Sequence, residues 1–287
     1  MGTALVMLMA GALVLDQRLA PWYPLLLLLV LALAGMASAE LLELLPVGFR
    51  PPAWLCYAGV FAIITCNWLP WVLPAAGALD ADPWHWIGGA FVAVVLAAFI
   101  SQMAAFREPG DSIARIAHGV WLVAYLGLLP SFFVQLRWLD TGGASAMTGP
   151  IDPGTLALAL AAFVPKCGDI GAYFTGRWLG RHPMAPVLSP KKTWEGAAGG
   201  VMASIGAAVG INRLGPVLHH GLLGEIGFGL SVGIAGILGD LAESLIKRDS
   251  RRKDASQTVP GFGGILDMID SVVFAAPAAY CWIESQK

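Results

Sequence analysis

The chain has 287 residues, of which 57% are hydrophobic and 13% carry a charge, with 35 glycines and 11 tryptophans. A soluble domain of this length would have about a quarter of its residues charged, so the composition excludes an ordinary soluble protein. It predicts an all-α, polytopic integral membrane protein. The formal net charge of −2 says little about partners, because the few charges are segregated by loop. We predict no nucleic-acid partner.

Nine apolar segments approach the length of about 20 helical residues that a bilayer requires. In chain order they lie near residues 3–16, 21–45, 54–79, 85–106, 113–136, 154–174, 195–215, 224–246 and 264–283. The first is short. Pro70 and Pro74 in the third either kink one helix or separate a span from a re-entrant piece. We therefore expect about nine transmembrane helices, with eight or ten left open.

The distribution of lysine and arginine predicts the orientation. Twelve of these residues fall in loops after even-numbered segments, and three fall in loops after odd-numbered ones. The positive-inside rule places the even loops in the cytoplasm. The charged loops 175–194 and 247–263 then face the same compartment, which contains nucleotides.

Residues 165–196 hold the first group of candidate site residues. Asp169 lies near a helix end, and Ser189, Lys191, Lys192 and Thr193 follow in a short polar run. Two lysines flanked by hydroxyl groups suit phosphate binding. Thr193 or Ser189 also suits the N-cap of the helix that begins near Trp194, and the spacing by itself favours the cap.

Residues 240–270 hold the second group, in which carboxylates flank a basic run. The run comprises Lys247, Arg248, Arg251, Arg252 and Lys253. Alone, it is typical of a solvated flank or an anionic-lipid contact. Asp240 and Glu243 precede it, and Asp267 and Asp270 follow at a spacing that puts them on one helix face.

Ionisable groups within apolar spans need partners. Asp240, Asp267 and Asp270 offer the oxygen ligands that Mg²⁺ prefers, and a cation beside basic residues suits nucleotidyl transfer. Structural ion pairs between Asp240 or Asp270 and a lysine or arginine are the alternative.

These two segments resemble the phosphatidate cytidylyltransferase (CDP-diacylglycerol synthase) family, over roughly the C-terminal 120 residues. The downstream matches are Ser244, Lys247, Arg248, Lys253, Asp254, Ser256, Pro260, Gly263, Gly264, Asp267 and Asp270. The upstream matches are Asp169, Ala172, Tyr173, Gly176, Arg177, Gly180, Ser189, Pro190, Lys191, Lys192, Thr193, Trp194, Glu195 and Gly196. The family's histidine before the glycine pair is Phe262 here, and its arginine after the aspartate is Met268.

The resemblance implies transfer of CMP from CTP to phosphatidic acid, with Mg²⁺ as cofactor and a second, monovalent cation left open. It implies catalytic roles for Asp240, Lys247, Arg248, Asp267 and Asp270, with Asp240, Asp267 and Asp270 as metal ligands. Substrate binding is expected at Ser189, Lys191, Lys192, Thr193, Ser244, Lys253, Asp254, Gly263, Gly264 and Asp169. A homodimer is consistent with the family.

We expect one membrane domain, with residues 1–150 as a scaffold for lipid or dimer contacts and residues 151–287 as the catalytic region. CTP, phosphatidic acid and membrane lipids are the expected partners. The expected location is the plasma membrane if the source is bacterial, with the active site facing the cytoplasm. The alternatives are a CTP-dependent enzyme acting on another lipid phosphate or polyprenol, and a non-catalytic transporter or scaffold.

Overall fold

The computed structural model describes residues 11, 13–72, 82–139, 151–251, 256 and 263–286. Residues 13–16 are helical, and ten α-helices lie wholly within the described residues: α1 (Pro24–Leu44), α2 (Ala53–Cys66), α3 (Leu69–Val72), α4 (Pro83–Ala105), α5 (Ser112–Val123), α6 (Leu129–Gln135), α7 (Pro153–Leu179), α8 (Trp194–Asn212), α9 (Gly221–Asp249) and α10 (Ile265–Glu284). A π-helical segment, Ala124–Leu128, joins α5 to α6. Two short strands, β1 (Pro183–Ala185) and β2 (Ser189–Thr193), lie between α7 and α8.

Six helices in the described part of the chain are long and apolar enough to cross a membrane. They are α1, α4, the continuous helix Ser112–Trp138, α7, α9 and α10. The prediction of a helical, polytopic membrane protein is confirmed, whereas the number nine is not. Helix α8 forms where it was predicted but is not among the six, α2 is shorter, and most of segment 3–16 lies outside the described residues.

The predicted third span is interrupted at Asn67, a buried residue between α2 and α3. Its side-chain amide donates hydrogen bonds to the carbonyl oxygens of Ile63 and Ile64 and to Ser131 Oγ, at 3.0–3.1 Å. These hydrogen bonds satisfy the amide group of a buried polar side chain, which would otherwise lack partners. Pro70 lies in α3, and the predicted residues beyond Val72 are outside the described range.

The chain divides into two compact units. Unit 1 comprises residues 1–17, 132–253 and 267–287, and unit 2 comprises residues 18–131 and 254–266. The expected functional division near residue 150 stays a prediction.

Unit 2 packs α2 against α4 and α5. The contact is close at Gly59, where an added Cβ would lie 2.9 Å from Val94 and 3.0 Å from Val123. Val60 and Ile63 of α2 are fully buried in the same apolar core. Valine side chains from α4 and α5 therefore occupy the space beside Gly59 that a larger residue would need.

Unit 1 brings α7, α8 and α9 together through small residues. An added Cβ would lie 2.5 Å from Ser204 Oγ at Gly168, 2.8 Å from the same side chain at Gly233, and 2.9 Å from Pro165 at Gly236. Small side chains allow backbones to approach closely, which is how membrane helices gain packing energy when lipid is as apolar as their side chains.

The charged segment predicted as loop 175–194 is more ordered than expected. Helix α7 continues to Leu179, and β1 and β2 form an antiparallel hairpin with Pro183 opposite Thr193. This hairpin is the only sheet in the described part of the chain, and it leads directly into α8.

Candidate active site

Three carboxylates from two helices of unit 1 form the centre of the candidate site. Asp240 and Glu243 lie one turn apart on α9, and Asp270 lies on α10. Each offers an oxygen atom, and these atoms lie within 4.8 Å of one another. Glu243 and Asp270 are only 1% and 5% exposed, whereas Asp240 is partly open. We call this group the carboxylate cluster.

The cluster forms because α9 and α10 approach each other at Gly239. A Cβ added to Gly239 would lie 2.5 Å from the carbonyl oxygen of Asp270 and 3.1 Å from Cα of Ser271. Only glycine permits this contact between backbones. Asp240 is therefore carried to within reach of Asp270, although thirty residues separate them along the chain.

A lysine from α7 contacts the same cluster. Lys166 Nζ lies 3.1 Å from Asp270 Oδ1 and 3.1 Å from Asp169 Oδ2. Ser271 Oγ donates a further hydrogen bond of 3.0 Å to Asp169 Oδ2. Lys166 thus links two carboxylates on different helices, and it draws Asp169 toward the cluster.

Two further lysines pair with the remaining carboxylates. Lys192 Nζ of the hairpin lies 2.5 Å from Asp240 Oδ2. Lys247 Nζ lies 2.5 Å from Glu243 Oε2 and 2.6 Å from Asp267 Oδ1. The ion pairs expected as an alternative are therefore present, and they coexist with a cluster of oxygen atoms.

The donor set fits a divalent cation. Carboxylate oxygens are the ligands that hard cations prefer, and three of them converge from two helices. Five carboxylates meet three ammonium groups here, which leaves a formal excess of two negative charges. These groups are Asp169, Asp240, Glu243, Asp267 and Asp270, with Lys166, Lys192 and Lys247. A divalent cation would offset that excess.

The hairpin is held against α8 and α9 by side-chain contacts. Thr193 Oγ1 accepts a hydrogen bond of 3.1 Å from Gly196 N, so the N-cap interpretation of Thr193 is confirmed. Glu195 accepts hydrogen bonds from the backbone N–H groups of Arg181 and His182. Arg248 Nε of α9 donates to the carbonyl oxygen of Leu188, in the turn of the hairpin.

The structure brings six of the predicted site residues into the network of contacts around the carboxylate cluster. They are Asp169, Lys192, Asp240, Lys247, Asp267 and Asp270. Asp267 was expected as a metal ligand together with Asp240 and Asp270. It pairs with Lys247 and does not belong to the carboxylate cluster found among the described residues.

The other predicted residues either lie around this network or are outside the residues that the structure describes. Lys191 and Arg248 are exposed, Ser189 is half-buried in β2, and Ser244 is buried on α9. Gly263, in unit 2, has a positive φ of 86° just before α10, a backbone conformation that favours glycine. Gly264 follows it directly, Met268 is half-buried in α10, and Lys253, Asp254 and Phe262 lie outside the described residues.

Two members of the network were absent from the predicted site. Glu243 was noted as a charge in need of a partner, but it was not included among the metal ligands. Lys166 was overlooked, although its position three residues before Asp169 in an apolar helix is a signal for a polar site.

Comparison with known proteins identifies the family. The model of the cytidylyltransferase family matches residues 1–286. The chain belongs to this family. The resemblance found in the two charged segments is thereby confirmed, and it extends over the N-terminal helices.

Proteins named phosphatidate cytidylyltransferase are among the relatives of this chain. The Synechocystis sp. protein is 37% identical over 204 residues, covering 62% of this chain and 65% of the relative. A chloroplast form from Arabidopsis thaliana is 34% identical, covering 67% and 51%. The Mycobacterium bovis protein is 30% identical, covering 74% and 66%. The matches therefore span between about half and two thirds of the length of these relatives.

Proposed function

We propose that this protein transfers CMP from CTP to phosphatidic acid and releases pyrophosphate. One observation carries the proposal: the two segments that resemble the family meet at one site. Lys192 of the first segment contacts Asp240 beside the second, and Lys166 contacts both Asp169 of the first segment and Asp270 of the second. The names of the relatives support the same substrates.

In the proposed site, Asp240, Glu243 and Asp270 would hold Mg²⁺. Bound there, the ion would neutralise phosphate charge and act as a Lewis acid. Asp267 is the fourth candidate ligand, since it shares Lys247 with Glu243. A second, monovalent cation stays a prediction.

The hairpin is the proposed nucleotide contact. Lys191 is exposed on β2, and Arg248 is exposed where α9 meets the hairpin turn. Two cations there suit the binding of phosphate groups by charge-assisted hydrogen bonds. The remaining basic residues of the motif, such as Lys253, lie in a segment whose structure is not described.

The proposed reaction needs no strong base. A phosphate oxygen of phosphatidic acid, already anionic near neutral pH, forms a bond to the α-phosphorus of CTP. The bond from that phosphorus to the oxygen that bridges it to the β-phosphate breaks, and pyrophosphate leaves with the electron pair. Lys192 and Lys247 would stabilise the charge of the phosphates, and the fixed ion pairs would orient these lysines.

The proposal includes the cellular setting. The charged segments would face the cytoplasm, where CTP is available and pyrophosphate is released. The acyl chains of the lipid substrate and of the lipid product would stay in the bilayer. A plasma-membrane location in a bacterium and a homodimer also belong to this proposal.

The decisive experiment measures pyrophosphate release by the purified protein in detergent–lipid micelles. CTP and phosphatidic acid are supplied with Mg²⁺ or with EDTA, and the lipid product is identified by mass spectrometry. We expect release only with lipid and Mg²⁺. Asp240→Asn should remove it, whereas Asp249→Asn, an exposed carboxylate on the same helix, should not.

A folded protein that releases no pyrophosphate with phosphatidic acid would contradict the proposed substrate. Release with a polyprenyl phosphate in a parallel reaction would redirect the proposal to another lipid phosphate. Inactivity with both lipids would favour a non-catalytic role.

A further inference from the structure

A buried glutamate on α1 binds the beginning of α10. Glu40 of unit 2 is only 4% exposed, although it lies in one of the most apolar helices of the chain. Its Oε1 accepts hydrogen bonds from Ser256 Oγ at 2.6 Å and from Ile265 N at 3.0 Å. Its Oε2 accepts a hydrogen bond of 2.9 Å from Leu266 N.

These contacts have the chemistry of a helix cap. The first N–H groups of a helix have no partner within the helix, and they carry a partial positive charge. Ile265 and Leu266 are the first two residues of α10. A carboxylate supplied by a residue more than 200 positions earlier therefore does what an N-cap side chain does locally.

Burial of this carboxylate requires a reason. An uncompensated charge within an apolar span is costly, so such a residue needs partners. Three donors offset that cost, and all three belong to the segment that precedes or begins α10. Glu43, one turn further along α1, is exposed and its side chain makes no such contact among the described residues. The capping contacts belong to Glu40 and not to acidic residues of α1 in general.

We propose that Glu40 is a positioning residue for the candidate active site. By capping α10 and holding Ser256, it sets where the first turn of α10 begins. Asp267 follows Leu266 directly in that turn, and Asp270 lies one turn further on. Each residue of a helix advances about 1.5 Å along the axis, so a frayed first turn would displace Asp267 by a distance that matters for catalysis.

The capping contacts can be tested without any activity. Hydrogen exchange of the whole protein in detergent, followed by mass spectrometry, reports on the amides of Ile265 and Leu266. We compare Glu40→Ala, which removes both oxygens, Glu40→Gln, which keeps one acceptor oxygen, and Glu43→Gln as the matched control. Loss of a cap should speed exchange at these amides on the order of fivefold or more.

The expected order of exchange rates is Glu40→Ala above Glu40→Gln above wild type, with Glu43→Gln at the wild-type rate. If Glu40→Ala does not fold, Glu40→Gln decides. Unchanged exchange at Ile265 and Leu266 in a folded Glu40→Gln protein would overturn the proposal.

The effect on turnover rests on the proposed function. Glu40→Gln should lower kcat about tenfold and leave KM for CTP near the wild-type value, because the hairpin is untouched. A wild-type kcat despite faster exchange would overturn the positioning role. If the wild-type protein itself is inactive with phosphatidic acid, the proposed function fails, while the exchange rates still decide whether Glu40 caps α10.

Discussion

Gly239→Ala tests whether the close approach of α9 and α10 creates the candidate active site. The new methyl group would lie 2.5 Å from the Asp270 carbonyl oxygen, 2.8 Å from Cβ of Phe274 and 3.1 Å from Cα of Ser271. Ordinary contacts begin near 3.4 Å. Backbone atoms cannot rotate away as a side chain can, so the two helices must separate by about 1 Å.

The change should affect activity more than stability. Overpacking costs about 1–3 kcal/mol. Alanine in place of a helical glycine regains up to about 1 kcal/mol of helix propensity. The net loss of stability is therefore small, about 0–2 kcal/mol. A displacement of about 1 Å at a catalytic group can cost on the order of 100-fold in rate.

The assay is Mg²⁺-dependent pyrophosphate release at saturating CTP, with thermal unfolding measured on the same preparation. Gly210→Ala is the control, because nothing lies within 4 Å of a Cβ added at that exposed helical position. It should keep full activity and unfold at the same or a slightly higher temperature. Wild-type turnover by Gly239→Ala would show that the contact between Gly239 and Asp270 is not required.

Three further substitutions test single contacts. Lys166→Met leaves two carboxylates without their shared ammonium group and should lower the stability by about 2 kcal/mol. This cost is smaller than that of breaking a fully buried ion pair, because Lys166 is 32% exposed. An unchanged unfolding temperature would contradict the prediction. Thr193→Ala removes the cap on Gly196 N and should cost about 1 kcal/mol, which Thr193→Ser should restore. Asp267→Asn should lower Mg²⁺-dependent turnover on the order of 100-fold in a folded protein, because Lys247 loses an ionic partner; substantial retained activity would refute a role for Asp267.

Sequence alone predicted the features that depend on neighbours along the chain. Long apolar runs predicted the membrane helices, because backbone groups in lipid must be satisfied within each helix. A hydroxyl residue before an acidic first turn favoured the Thr193 cap, which the structure contains. The two charged segments indicated the family from residues between 169 and 270.

Local patterns misplaced or missed features that depend on contacts between helices. At the break in the predicted third span, Asn67 donates a hydrogen bond to Ser131, 64 positions away. The i, i+3 spacing predicted that Asp267 and Asp270 lie on one face of a helix, and both lie in α10. It could not show that Asp267 would face Lys247 while Asp270 joined Asp240.

The membrane class and the family were therefore determined by the sequence itself, and the sequence also predicted six of the charged residues that the structure brings to the candidate site. Tertiary structure decided which charges meet: Lys166 with Asp270, Glu243 with the other cluster carboxylates, and Glu40 with the start of α10. The physical reason is that a charge buried among apolar helices must find its partner wherever packing brings one, and that packing depends on close backbone contacts such as the one at Gly239.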